Sequence, residues 1–245
     1  ASVMVGCGFS LNAESDGTGQ MREWNALNVD LFKSLYGRNP STSELDRLNP
    51  VRLAAQVENT LGSKELDEII MNALPDKSVY PGVLHKKLMK LRWRDVFTTN
   101  YDTLLERSCD ESGSAYTLVT TKETLLYSKP PRIIKLHGSF PNIRPFIMSE
   151  EAFRTYPQKY PEFVNTVRQS LIENLFCLIG FSGNDPNFLS WLGWIRDVMG
   201  EQMSNAILVD YRPKGYHISE KQLFASRKID ILNLAEISGL NDYKE

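Results

Sequence analysis

Five short segments of the chain set reactive side chains beside glycines or turn residues. In Gly6-Cys7-Gly8-Phe9-Ser10 the glycines let backbone N–H groups approach a phosphate closely. The same turn serves equally as a plain tight turn, since the third glycine of the usual dinucleotide fingerprint is missing. Thr98-Thr99-Asn100-Tyr101-Asp102 offers hydroxyls, an amide and a carboxylate. Taken singly, Asp102 is an ordinary helix cap and Asn100 an ordinary turn residue. Leu136-His137-Gly138-Ser139 carries a histidine suited to taking a proton from a hydroxyl or water near neutral pH. Gly180-Phe181-Ser182-Gly183-Asn184-Asp185-Pro186-Asn187 provides a phosphate-sized nest of backbone donors, with the Ser182 hydroxyl, Asn184 and a following helix start. Val209-Asp210 ends with a carboxylate placed to accept hydrogen bonds from ribose hydroxyls.

Each segment follows a short β-like run: Ser2 to Val5, Asp95 to Thr98, Arg132 to Leu136, Leu175 to Gly180 and Ala206 to Asp210, with a further run from Lys228 to Leu232. Helical patterns separate them. The expectation is an α/β fold, a Rossmann-like parallel sheet whose strands are apolar because both faces are covered. Ligands bind such sheets at the carboxyl ends of the strands, so one shared cleft accounts for five decorated strand ends better than five unrelated turns.

Between the first two runs lie about ninety residues, far more than one crossover helix needs. Helical patterns at Trp24 to Leu35, Ser43 to Asp46, Val51 to Leu61, Lys64 to Leu74 and Val83 to Leu91 fill them, punctuated by Pro40, Pro50, Pro75 and Pro81. This reads as a single domain, 1–245, with a helical insertion over about 20–92 and a smaller one over about 141–174. In the latter, Phe163, Val167 and Leu171 form one apolar helical stripe.

The 245 residues are 42% hydrophobic and 24% charged, an ordinary globular balance. The longest central apolar run, Leu175 to Phe181, is far shorter than the ~20 residues of a membrane span. The opening Val3-Met4-Val5-Gly6 has no charged leader, so no secretory signal is expected. A net charge of −2 supplies no field for nucleic acid, and Lys86, Lys87, Lys90, Arg92 and Arg94 read as a solvated helix end. Cys7, Cys109 and Cys177 are scattered, which fits a reducing, cytoplasmic compartment and neither a disulfide framework nor a paired-cysteine zinc site. Leu189, Trp191, Leu192, Trp194, Ile195, Val198 and Met199 surround one helix with apolar groups, for burial between layers or a subunit contact.

In this order the segments resemble the SIR2-like family, relatives of sirtuins found in prokaryotic antiphage proteins. The match runs through Gly6-Cys7-Gly8-Phe9-Ser10, Thr99-Asn100-Tyr101-Asp102, Leu136-His137-Gly138-Ser139, Gly180-Phe181-Ser182 and on to Asp210, essentially the whole chain. The resemblance implies NAD+ as substrate. The adenosine diphosphate part would lie on the glycine-rich turns, and the nicotinamide riboside would bend into a pocket beside Asn100 and His137, the catalytic pair. Asp102 is expected to orient that region, and Thr99 to contact the nucleotide.

Two departures direct the reading. No C-x-x-C occurs, so the zinc module of sirtuin deacylases is missing and no metal is expected. The family's Ile-Pro-Asp-Phe-Arg segment is replaced by Ser15-Asp16-Gly17-Thr18-Gly19-Gln20-Met21-Arg22, in which neither Asp16 nor Arg22 is equated with it. Both point to an NAD+ glycohydrolase that depletes the dinucleotide in abortive infection. The alternatives are a non-catalytic module binding NAD+ or ADP-ribose, and a NAD-dependent deacylase. Implied partners are further copies of the chain and a fused or separate sensor, ATPase or phage-derived trigger, with neither membrane nor direct nucleic-acid contact.

Overall fold

Apolar runs without polar alternation become the buried strands of a parallel sheet, and capped amphipathic segments become the helices on its faces. The computed structural model describes residues 1–15, 17, 19–21, 24–181 and 185–237. In chain order the elements begin with β1 (Ser2–Val5), α1 (Cys7–Ser10), β2 (Glu14–Ser15), α2 (Trp24–Tyr36), α3 (Thr42–Leu45), α4 (Pro50–Leu61), α5 (Ser63–Ala73), β3 (Val79–Tyr80), α6 (Val83–Lys90) and β4 (Asp95–Thr98). There follow α7 (Leu104–Ser112), β5 (Thr117–Val119), α8 (Lys122–Tyr127), β6 (Arg132–Lys135), α9 (Glu150–Lys159) and α10 (Pro161–Glu173). The last are β7 (Phe176–Ile179), α11 (Pro186–Met199), β8 (Ala206–Asp210), α12 (Ile218–Ser226) and β9 (Ile229–Asn233).

Seven strands form one parallel sheet in the order β5-β6-β4-β1-β7-β8-β9. The chain starts in the middle, builds outward through β4 to β5 and β6, then crosses back over β1 to β7. The strand order therefore reverses between β1 and β7, and the crevice at that switch point is where open α/β sheets take ligands. The crossing segment carries α9 and α10, with Phe163, Val167 and Leu171 buried as one stripe. Met4, Phe97, Ile134, Leu178 and Leu208 point to the layer of α10 and α11. Val3, Val5, Val96 and Ile133 point the other way, to Leu88 and Met89 of α6 and Leu105 and Cys109 of α7.

Helices α2, α4 and α5 share a further core of Leu27, Leu31, Leu53, Ala54, Val57, Leu66 and Ile70, which leans on Tyr101, Phe140, Phe146 and Met148 from the loops after β4 and β6. α4 starts where Asn49 accepts the Arg52 N–H at 3.0 Å, with Pro50 in the first turn. Among the elements that escape the periodicity reading are the edge strand β5, the antiparallel pair of β2 and β3, two residues each, and the short helices α8 and α12. On α11, Phe188, Trp191, Leu192 and Ile195 are buried while Trp194 and Val198 are exposed. Among the described residues no helix is long and apolar enough to cross a membrane.

Candidate functional site

Four adjacent strands, β6, β4, β1 and β7, deliver their carboxyl ends to a single cavity of about 260 Å³. Its wall includes Gly6 and Cys7 after β1, Thr99 to Asp102 after β4, His137 after β6, and Gly180, Phe181 and Asp185 after β7. Met21, Leu27, Pro50, Val51 and Leu74 close the opposite side. The space is mostly apolar with a few convergent polar groups, the usual make-up of a small-molecule site.

The loop after β4 is fixed by short-range bonds. The Thr98 hydroxyl donates to the Val5 carbonyl at 2.8 Å and accepts the Asn100 N–H at 3.1 Å, which swings the chain off the strand. The Asn100 amide donates to Ser10 Oγ at 3.0 Å, and Ser10 Oγ donates to Asp102 Oδ2 at 2.8 Å. The other carboxylate oxygen of Asp102 accepts the Leu104 N–H at 3.2 Å, so Asp102 also serves the start of α7. All three side chains are buried. Ser10 does not line the cavity; it joins the two residues that do.

His137 is buried as well, edge-on to Phe153 and Tyr156. Its Nε2 lies 3.2 Å from the Asn187 amide nitrogen, and its Nδ1 lies 4.0 Å from Asp185 Oδ2. Burial pushes its pKa down, partly opposed by the Asp185 carboxylate. The ring is therefore neutral at physiological pH and retains a lone pair. Asp185 caps α11 through Oδ1, which accepts the Phe188 N–H at 2.9 Å. Tyr101 ties the two neighbouring loops together, donating to the Ile147 carbonyl at 2.9 Å while its own carbonyl accepts the Phe140 N–H at 2.8 Å.

The glycines act mainly on each other. A Cβ on Gly6 would sit 2.4 Å from the Gly180 carbonyl oxygen, and one on Gly180, whose φ is +59°, would sit 2.3 Å from the Phe9 nitrogen. The Gly6 N–H donates to Ile179, the Gly8 N–H to Gly180 and the Phe9 N–H to Gly6, each at 3.0 Å. These three donors are thus spent on protein carbonyls, and the phosphate approach expected of this turn is left to the Gly6 and Cys7 wall. Gly8 does not line the cavity, and Phe9 is buried against α6, 4.9 Å from the His85 ring.

Asp210 stands one strand further out and is not part of the cavity wall. Its carboxylate accepts from the Tyr216 hydroxyl and from the Tyr211 N–H at 2.9 Å, with Arg212 Nε 3.7 Å away. Ser182 and Asn184 lie outside the described residues, as do Asp16 and Arg22.

The sequence reading missed Lys135, whose ammonium is buried behind the site, donates to the Asp102 carbonyl and pairs with Glu106 at 3.0 Å. A lysine inside Ile133-Ile134-Lys135-Leu136 was the available signal. It also missed Asp185 and Asn187 as neighbours of His137, although Asp185-Pro186 is a recognisable helix start. No cluster of three His, Cys, Asp or Glu side chains among the described residues is placed to hold a metal ion.

A parallel sheet with polar groups gathered at the carboxyl ends around its switch point defines an α/β small-molecule-binding domain of Rossmann-like architecture. The family model described as "SIR2-like domain" matches residues 94–232, and the chain belongs to that family. It is 22% identical over 229 residues to defense-associated sirtuin 2 of Bacillus subtilis, covering 90% of this chain and 22% of that protein. It is 31% identical over 141 residues to the NAD(+) hydrolase ThsA of Acinetobacter baumannii (strain 532279), covering 56% of this chain and 28% of that one. The ThsA of Bacillus cereus (strain MSX-D12) is 26% identical over 174 residues, covering 66% and 36%. The chain thus spans between about a fifth and somewhat over a third of the length of these relatives. Its fold is shared with a crystal structure of a Sir2 homolog–NAD complex, at a TM-score of 0.51 and 15% identity, covering 94% of this chain and 82% of the other.

Proposed function

We propose that this chain is the NAD+-hydrolysing domain of an antiphage effector, converting NAD+ to nicotinamide and ADP-ribose so that dinucleotide depletion halts the infected cell. The observation that carries the reading is the convergence of Asn100 and a neutral, buried His137 on one cavity at the switch point. Membership of the SIR2-like family and relatives named NAD(+) hydrolase support it.

The reaction breaks the bond between C1′ of ribose and the pyridinium nitrogen. Nicotinamide leaves as a neutral molecule, so the departing ring needs no strong acid. The site must hold the bent nucleotide, stabilise an oxocarbenium-like charge and present water, as in glycoside hydrolysis. Asn100, its amide steered by Ser10 and Asp102, positions water or the ribose hydroxyls. His137 takes a proton, assistance that contributes about 10²- to 10⁴-fold in rate. The diphosphate lies along Gly6, Cys7 and Gly180, a wall kept in place by Gly8 and Phe9, with Thr99 beside it; Ser182 and Asn184 are assigned to it from the sequence alone. Asp210, held by Tyr216 and Arg212, takes the adenosine ribose.

The test is nicotinamide release from NAD+ by the purified chain. His137→Ala and Asn100→Ala each abolish it while leaving the circular dichroism spectrum unchanged. Full turnover in a folded Asn100→Ala protein refutes the assignment, and NAD+ binding without release from the unmodified chain identifies a regulatory module instead. The same reading takes residues 1–245 as one cytoplasmic domain acting in an oligomer under a sensor, ATPase or phage-derived trigger. The exposed Trp194 and Val198 of α11 support the assembly, which light scattering checks.

A further inference from the structure

We propose that Asp185 is a catalytic residue, forming with His137 a two-acceptor cradle for the water molecule that attacks C1′. The inference rests on the hydrolase reading and adds to it the identity and orientation of the nucleophile. Asp185 lines the cavity and Asn187 does not, so Nδ1, on the Asp185 side, is the imidazole nitrogen turned toward the substrate. The 4.0 Å between Nδ1 and Asp185 Oδ2 is too long for a direct hydrogen bond. It is the span of two hydrogen bonds of about 2.8 Å meeting at about 90° on a single oxygen.

The tautomer decides what that oxygen must be. In the structure the Asn187 amide nitrogen faces Nε2, the arrangement in which the amide donates and Nδ1 carries the proton; turning the amide by about 180° puts its oxygen there instead. The cradle takes the turned amide: Nε2 then carries the proton and donates to Asn187 Oδ1, leaving the Nδ1 lone pair facing the Asp185 carboxylate across the 4.0 Å gap. Two acceptors facing each other across 4.0 Å call for a molecule with two protons to give. Water has two and a ribose hydroxyl has one. A water donating to both acceptors turns its remaining lone pairs away from them, toward the sugar. Its oxygen bonds to C1′ as the C1′–N bond breaks and the pair departs with nicotinamide. One proton passes to Nδ1 and afterwards to solvent, and the other remains on the new hydroxyl of ADP-ribose. Asp185 steadies the imidazolium formed in that step.

The test sets methanol, which has one O–H, against water during turnover of NAD+. The unmodified chain yields ADP-ribose with little methyl ADP-ribose. Asp185→Asn keeps an Oδ1 for the α11 cap but loses the charge, so kcat falls about 10²-fold while KM for NAD+ changes by less than about threefold. The methyl ADP-ribose fraction rises several-fold, a shift that loss of a mere structural contact would not produce. Asp185→Ser, a sound helix cap without the charge, gives the same shift and guards against a folding artefact. Unmodified hydrolysis rate and product ratio in both variants overturn the cradle and leave the hydrolase reading intact. Absence of nicotinamide release from the unmodified chain overturns both.

Discussion

Replacing His85 by leucine should uncouple part of the protein's stability from pH. His85 sits on α6, only 1% exposed, with its ring against Phe9 and no hydrogen-bond partner for either ring nitrogen among the described residues. Burial lowers its pKa from the ordinary 6.5 to about 4; the Asp102 carboxylate pushes it up and Arg107 pushes it down. Because the folded pKa is depressed, the unfolded chain binds more protons between about 6.5 and about 4. Stability from this group is complete above 6.5 and falls as the pH drops through that window. A difference of about 2.5 units is worth about 3 kcal/mol at 1.36 kcal/mol per unit. That is a large fraction of a typical folding stability of about 5–15 kcal/mol. His85→Leu keeps an apolar group beside Phe9 and removes the titration. Urea unfolding of both proteins at a series of pH values from 7.5 to 4 measures the effect. The variant matches or exceeds the parent at pH 7.5, since it no longer buries an unpaired imidazole, and its advantage grows by about 3 kcal/mol toward pH 4. Groups remote from His85 are the same in both proteins and cancel in the difference. Curves that stay parallel within about 0.5 kcal/mol would refute the reasoning.

Three further substitutions test the packing around the site and on α11. Gly6→Ala drives a methyl group against the Gly180 carbonyl and Phe181 Cα, at 2.4 and 2.8 Å, and should cost about 3 kcal/mol or more in thermal unfolding. Gly193→Ala, on α11 with nothing within 4 Å of the new methyl, should instead stabilise by about 0.5–1 kcal/mol. Lys135→Met leaves the largely buried Glu106 without its cation and should cost about 3–5 kcal/mol, much of it recovered by adding Glu106→Gln. Equal losses in the single and double variants would refute the unpaired Glu106 carboxylate as the cause of the loss.

The legible parts of the fold are those where burial is written into composition. β1, β4 and β8 have the limits read from their apolar runs, because strands covered on both faces leave little room for polar residues. β5 is invisible to that argument: Thr117 and Leu118 at the sheet edge are exposed, so nothing forces the segment to be uniformly apolar. The gathering of Asn100, Asp102 and His137 follows from strand ends and was readable. Ser10 as the link between Asn100 and Asp102 was not, since its partners are about ninety residues away and only the β1–β4 pairing brings them together. Gly6, Gly8 and Gly180 were read as openings for a ligand. Much of their purpose is mutual contact, which a one-dimensional motif cannot distinguish from room for a phosphate.

That mutual contact has a mechanical consequence. With Gly6 locked under Gly180 and the Gly8 amide bonded to the Gly180 carbonyl, the two halves of the sheet share one floor that neither can tilt alone. The rest of the cavity wall includes Met21, Leu27, Pro50, Val51 and Leu74, which meet it from outside the sheet. The chain is thus built like a fixed bench, backbone bonded to backbone, under a cover of side chains from the segment between β1 and β4.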